Sequence, residues 1–320
     1  MSHCPSSTET PPSSLKLLAA LALLSSLVSC NALTPSATLP ASPTTEPSPS
    51  PASTPPTARL HAGLRASSYG ISPFPKPEWW RNSTQSMASR FDGAAPAVVW
   101  IVGTIKDRYC WLKFPSPASD EKYPKVLFSY QDYYGPYLDL FDRTGVKVWL
   151  QVEPGDADVA TLIDLVLKQY ASHPSVVGFG IDVEWYRRRD NKEGKAVTDE
   201  EARAWVERIR SYNPTYRLFL KHWLTEKLPP TYRDGVMFLS DSQGFASLDE
   251  MVRDFVEWGQ AFAPAPVGFQ YGYLADQAWW KTLPDPPGDI GRALLDRIPN
   301  ATELYWVDFT ALGLWPDSAP

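Results

Sequence analysis

The chain has little that could staple or metallate a fold. It contains three cysteines, Cys4, Cys30 and Cys110, and four histidines, His3, His61, His173 and His222. Cys4 and Cys30 lie at or before the end of an N-terminal apolar run, so the part that reads as folded keeps Cys110 alone. That excludes an internal disulfide and a cysteine-based metal site. A His-based catalytic metal needs clustered histidines, and these are scattered, so no metal is expected. Basic residues are also short: 30 Lys and Arg against 36 Asp and Glu leave a net charge of −6. The longest basic run is Arg187-Arg188-Arg189, interrupted at once by Asp190. Nucleic acid needs a basic footprint, so it is not an expected partner. No Gly-rich phosphate loop follows an early strand, no P-loop is present, and no G-x-S-x-G elbow occurs. These absences argue against a dinucleotide or nucleotide cofactor and against a serine hydrolase.

Long hydrophobic runs are missing too. The longest, Leu17–Val28, has 12 apolar or small residues after Lys16. A membrane span needs about 18 or more, so the run reads as the core of a signal peptide covering residues 1–29. It ends in Leu27-Val28-Ser29-Cys30, which resembles the bacterial lipobox. That resemblance implies lipidation at Cys30 and an extracytoplasmic, lipid-anchored protein whose only lipid contact is its acylated N-terminus.

Proline, by contrast, is plentiful, with 32 residues. Eight fall between Pro35 and Pro56, in a stretch whose only charge is Glu46. Such a stretch cannot bury a core, and residues 30–58 read as a Pro/Ser/Thr-rich disordered tether. Residues 59–320 remain as one folded domain, close to the size of a (β/α)8 barrel at about 250 residues.

Within that domain, short β-rich runs alternate with helical patterns. The predicted strands are Val98–Val102, Val146–Val152, Val176–Val183, Tyr216–Lys221, Val236–Leu239, Val267–Tyr271 and Leu304–Phe309. Leu64–Ile71 supplies the eighth, followed by a helix near Glu78–Phe91; Val126–Tyr130 is the other candidate. Further helices are expected over Tyr137–Arg143 and Asp158–Tyr170. Capping boxes at Thr198 with Glu201 and Ser247 with Glu250 open two more. The alternation implies an α/β (β/α)8 TIM barrel, irregular between Trp223 and Gly235, with an inserted hairpin over residues 104–131.

Active sites of such barrels form at the C-terminal strand ends, so the last inward residues of each strand are the candidates. In VVGFGIDVEWY, Val177, Phe179, Ile181 and Val183 share one face, and Gly178, Gly180, Asp182 and Glu184 the other. Two carboxylates at i and i+2 of a strand stand about 6.6 Å apart at their Cα atoms. Paired carboxylates suit glycosidic cleavage, where one protonates the leaving oxygen and the other stabilises the positive centre or activates water. Glu153 ends the preceding strand, on the face of Lys147, Trp149 and Gln151. Other strand ends add Lys221, His222, Asp241, Gln243, Gln270, Tyr271, Tyr273 and Asp308, with Trp185, Tyr186 and Trp223 just beyond theirs. A ring of carboxylates, amides and aromatics suits a neutral, hydroxyl-rich glycan. The bland alternative is that the inward acids pair with Lys147 or Lys221 and are structural. For His222, that alternative is a satisfied rim histidine.

Gly180-Ile181-Asp182-Val183-Glu184-Trp185-Tyr186 resembles the fourth-strand motif of chitinase-like family 18 glycoside hydrolases and the Asp-x-Glu pair of family 25 lysozymes. The resemblance covers about eight residues and the barrel pattern. It implies Glu184 as general acid and Asp182 as its stabilising partner. Tyr186 stands where the chitinase motif ends in Glu, and Leu64–Ile71 has no counterpart of the lysozyme first-strand Asp. These departures keep a second expectation open, a barrel lipoprotein that binds carbohydrate without cleaving it.

Overall fold

The computed structural model describes residues 59–117 and 123–316. The signal segment, Cys30 and the Pro-rich tether lie outside the described residues. Within them, no helix is long and apolar enough to cross a membrane.

The described residues form ten strands: β1 (His61–Ala66), β2 (Ala95–Lys106), β3 (Tyr109–Leu112), β4 (Val126–Phe128), β5 (Lys147–Val152), β6 (Val176–Asp182), β7 (Arg217–Lys221), β8 (Val236–Ser240), β9 (Val267–Tyr271) and β10 (Ala301–Val307). Eight of them, β1, β2 and β5 to β10, pair in parallel. The ring closes because β1 pairs with both β2 and β10. This is the expected (β/α)8 barrel, and β1 rather than Val126–Phe128 is its first strand.

Helices α1 (Pro77–Ala88), α2 (Gly135–Thr144), α3 (Val159–Tyr170), α4 (Asp199–Tyr212), α5 (Leu248–Phe262), α6 (Gln277–Trp280), α7 (Pro286–Leu295) and α8 (Asp308–Leu314) fill the connections. Their start signals act as the sequence suggests. Pro77 opens α1, where its missing N–H costs nothing. Thr198 and Glu201 form a complete capping box on α4. On α5 the Ser247 side chain accepts from the Glu250 N–H, but the Glu250 carboxylate reaches one residue further back, to the Ala246 N–H. Between β7 and β8 there is only a single turn at Thr225–Lys227, the irregularity expected from the shortness of that link.

The insertion differs from a simple hairpin. β2 itself runs on out of the barrel, and its last residues, Gly103–Lys106, pair antiparallel with β3. The reversal turns on Asp107 at φ 56°, a left-handed position that Asp tolerates better than most residues. β4 then pairs parallel with β3 rather than folding back on it.

Two apolar layers result. Outside the barrel wall, Trp100 packs among Phe74, Trp80, Tyr134, Tyr137 and Phe141. Inside, Ala97, Val99, Trp149, Phe219, Met237, Leu239 and Tyr305 form a separate cluster. Gly178 and Gly180 make the inner cluster possible. A Cβ on Gly178 would stand 2.4 Å from the Trp149 ring, and one on Gly180 would stand 2.0 Å from the Phe219 ring. Small residues on β6 thus admit large aromatics from β5 and β7, and this packed plug is the floor beneath the mouth.

Candidate functional site

β6 ends at Asp182, and Val183–Trp185 form a single 3₁₀ turn. The two-residue alternation therefore stops one step short of Glu184. Asp182 is 2% exposed and points inward above the Phe219 layer. Glu184 instead stands on the rim with its side chain 22% exposed, 3.2 Å from Arg188 one helical step on. The two acids sit at different depths rather than projecting side by side from one strand.

Asp182 belongs to a buried triad across three neighbouring strand ends. The Lys221 ammonium, at the end of β7, lies 2.9 Å from Asp182 and also contacts Asp241, just past β8. Gln151 on β5 donates to the same Asp182 oxygen at 3.4 Å. Burial pushes the Asp182 carboxyl upward, and Lys221 offsets this only in part. Burial works to lower the Lys221 pKa, but Asp182 and Asp241 lift it well above the ordinary lysine range. Glu184 is also raised, mainly by burial, against the pull of Lys221 and Arg188.

A second network crosses the other side of the mouth. Arg65, at the end of β1, donates to Asp308 Oδ1 at 2.5 Å and to the Tyr69 hydroxyl at 2.6 Å. Tyr69 donates in turn to Glu153 Oε1 at 2.5 Å, while the Ile105 N–H donates to Glu153 Oε2 at 2.7 Å. Asp308 also accepts from the Ser67 N–H and hydroxyl, both at 2.6 Å. Asp308 thus fixes the β1 loop, and Glu153 is held on both oxygens. The Arg65 guanidinium lies against both the Tyr69 and Phe309 rings, 5.2 and 4.9 Å from their centroids. Tyr69 is 50% exposed although its hydroxyl is engaged on both sides, so its ring forms part of the mouth.

Arg65, Ser67, Tyr69 and Phe309 were not among the sequence candidates. Taking β1 as Leu64–Ile71 set its end too far along the chain. The available signal was a charged residue inside the apolar run His61–Ala66, on the same face as Gly63.

Several candidates do not join the mouth. Tyr271 follows the inward Gln270 and therefore faces outward. Its ring packs edge-on against Trp306, and its hydroxyl donates to the Pro287 carbonyl. Tyr186 turns back against α4, edge-on to Trp205, and donates to Glu201 at 2.9 Å. Gln243 is an exposed loop residue. His222 is satisfied at both nitrogens: Nδ1 accepts from the Leu224 N–H at 2.8 Å, which leaves Nε2 to donate to the Glu193 carbonyl at 2.8 Å. Trp223 stacks on His222, with ring centroids 4.3 Å apart. One face of Trp185 is covered by the Arg188 guanidinium at 4.4 Å, and both line a hollow of about 180 Å³ with Ile105, Arg108 and Asp156.

What the mouth retains is unmet polarity. Arg65 Nε, Gln151 Oε1, Asp182 Oδ1, Asp241 Oδ1 and Gln270 Nε2 are all buried, and none has a partner among the described residues. Buried polar atoms are normally paired, so five at one end of a barrel call for an explanation. They comprise two donors and three acceptors, a mixture that a polyhydroxylated molecule can match.

No family model matches the chain, and no curated protein matches it. Among solved structures, the chain is similar to a Bacteroides uniformis β-glucuronidase, at 14% identity and a TM-score of 0.46 over 78% of this chain and 30% of that one. It is similar to a putative α-L-fucosidase from Bacteroides thetaiotaomicron, at 15% identity and a TM-score of 0.38 over 80% of this chain and 76% of that one. It is also similar to a β-D-glucuronidase of Dictyoglomus thermophilum, at 12% identity and a TM-score of 0.45 over 78% of this chain and 43% of that one. The chain therefore spans less than half the length of the two glucuronidases.

Proposed function

We propose that this barrel is a glycoside hydrolase that takes a hydroxyl-rich glycan at its C-terminal mouth. The observation that carries the reading is the group of five unpartnered polar atoms at the strand ends, two of them on the carboxylates that meet Lys221. Sugar hydroxyls both donate and accept, and would satisfy donors and acceptors alike. In this reading Glu184 is the general acid. It is the rim carboxyl whose pKa burial raises, as an acid that must hold a proton near neutrality requires. Glu153, held at both oxygens by Tyr69 and Ile105, is the partner carboxylate on the far side of the mouth. Asp182, with Lys221 and Asp241, reads and orients hydroxyls from below and stabilises developing positive charge. The exposed faces of Tyr69 and Phe309 suit stacking on a sugar ring. Secretion, lipidation at Cys30 and display at the cell surface on the Pro-rich tether belong to the same proposal and rest on the N-terminal sequence alone.

A second reading is a barrel that binds glycan without cleaving it. One observation favours it: each acid of the Asp-x-Glu pair already meets a cation, Asp182 with Lys221 and Glu184 with Arg188. A glycan panel, with turnover and binding both measured on the full chain and on Glu184→Gln, separates the two. Cleavage by the wild type that is lost in Glu184→Gln while binding persists supports hydrolysis. Saturable binding without turnover in either protein supports the second reading. Unchanged turnover in Glu184→Gln removes Glu184 from the acid role.

A further inference from the structure

The opposite pole of the barrel carries a cleft of about 1130 Å³. It opens where β7, β8, β9 and β10 begin. Among the described residues, four arginines line it, Arg210, Arg217, Arg233 and Arg297, and no carboxylate does. That is unexpected in a chain with more acids than bases. Two of the arginines are occupied. Arg210 is paired with Asp234, and Arg233 donates to the carbonyls of Pro229, Pro230 and Tyr232.

The other two are free. Among the described residues, the side chain of neither Arg217 nor Arg297 has a hydrogen-bond or ion-pair partner. Arg217 opens β7 on the inward face and lies 6.0 Å from the Trp149 ring centroid. Burial pulls its pKa down, and the acid that opposes this, Glu303, is already engaged by His61, Trp149 and Tyr305. Thr302 also lines the cleft, but its hydroxyl is buried behind it and has no partner among the described residues. Val236, Val256, Pro266 and Ile298 give the remaining wall an apolar stretch, beside the polar Gln260 and Asn300.

We propose that this cleft binds a small amphiphilic anion, a carboxylate or phosphate monoester carried on an apolar body. The anionic head meets the forked guanidinium donors of Arg217 and Arg297, and the body lies on the apolar wall. Guanidinium groups match carboxylate and phosphate oxygens bidentately. An unpaired, partly dry cation gains more from such a partner than a solvated one does. A bare inorganic anion would leave the apolar wall wet, so head and body together define the ligand class. The site is independent of the mouth, which lies at the other end of the strands.

Isothermal titration of the full chain tests this with four probes: octanoate, octyl phosphate, inorganic phosphate and octyltrimethylammonium. Saturable one-to-one binding of octanoate or octyl phosphate is expected, at least tenfold tighter than inorganic phosphate, with none by the cationic amphiphile. The tighter of the two octyl anions identifies the head group. Arg217→Gln combined with Arg297→Gln should weaken that binding at least tenfold, and Glu184→Gln should leave it unchanged. Arg297 is exposed, so Arg297→Gln alone should weaken binding at least threefold in a protein that folds normally. Equal binding of the cationic amphiphile, unchanged binding in the Arg variants, or no saturable binding of either octyl anion would overturn the proposal.

Discussion

Replacing Lys221 by Met probes the centre of the mouth. In the folded protein its ammonium is the counter-charge for Asp182 and Asp241, and the three residues are 4%, 2% and 7% exposed. Met fills similar space without the charge and leaves two buried carboxylates facing each other. Removing one partner of a buried ion pair costs about 3–5 kcal/mol. The variant should therefore lose that much stability near neutral pH. Part of the loss should be recoverable with acid, and the sign follows from proton linkage. In the wild type burial already holds the Asp182 carboxyl above the ordinary 3.8 with Lys221 opposing the rise, so in the variant the folded state keeps that proton to higher pH still, where the unfolded chain has released it. Where the folded state binds more protons, stability falls as pH rises. A proton that only the variant retains is worth about 1.4 kcal/mol per pH unit, so the deficit should grow from about pH 4 to about pH 7 by at most about 4 kcal/mol. Urea denaturation followed by tryptophan fluorescence, with variant and wild type at both pH values, measures the difference. A deficit under about 1 kcal/mol at neutral pH, or one equal at both pH values, would refute the view that Lys221 neutralises a dry acidic pair.

Two further outcomes follow from the same geometry. Gly180→Ala places a methyl group 2.0 Å from the Phe219 ring and should destabilise the barrel by about 1–3 kcal/mol, measured by denaturant midpoint, as overpacking does. Arg188→Met removes a cation that lowers the Glu184 pKa. If Glu184 is the acid, the alkaline limb of the hydrolytic pH profile should move to higher pH in that variant, and a shift to lower pH or none would contradict the role.

The barrel was legible in the chain because its strands are short apolar runs separated by helices with explicit caps. Thr198 with Glu201 and Asp158 act at the helix starts where their types suggest. Strand ends were harder, because apolar content does not mark where pairing stops. β1 ends at Ala66 rather than Ile71, which hid the Arg65–Tyr69–Glu153 network. At β6 the alternation correctly turns Asp182 inward, but it cannot foresee that the backbone coils at Val183 and lifts Glu184 to the rim. Tyr271 shows the reverse case. The same period that turns Gln270 inward sends its neighbour outward, so the two could not both face the mouth. Tyr186 carried no local signal at all, since its partners Trp205 and Glu201 come from a helix further along the chain.

The fit of β6 glycines to neighbouring aromatics also constrains how this chain can change over time. Gly180 and Phe219 come from different strands, yet together they fill one volume. A larger residue at 180 becomes tolerable only after Phe219 has shrunk, and Phe219 can shrink without a void only if something at 180 grows. Either order passes through a less stable intermediate, so the pair is expected to stay fixed over long divergence or to switch together. Homologues that preserve this barrel interior would then carry either a glycine opposite an aromatic or two middle-sized residues, and seldom the mixed states between.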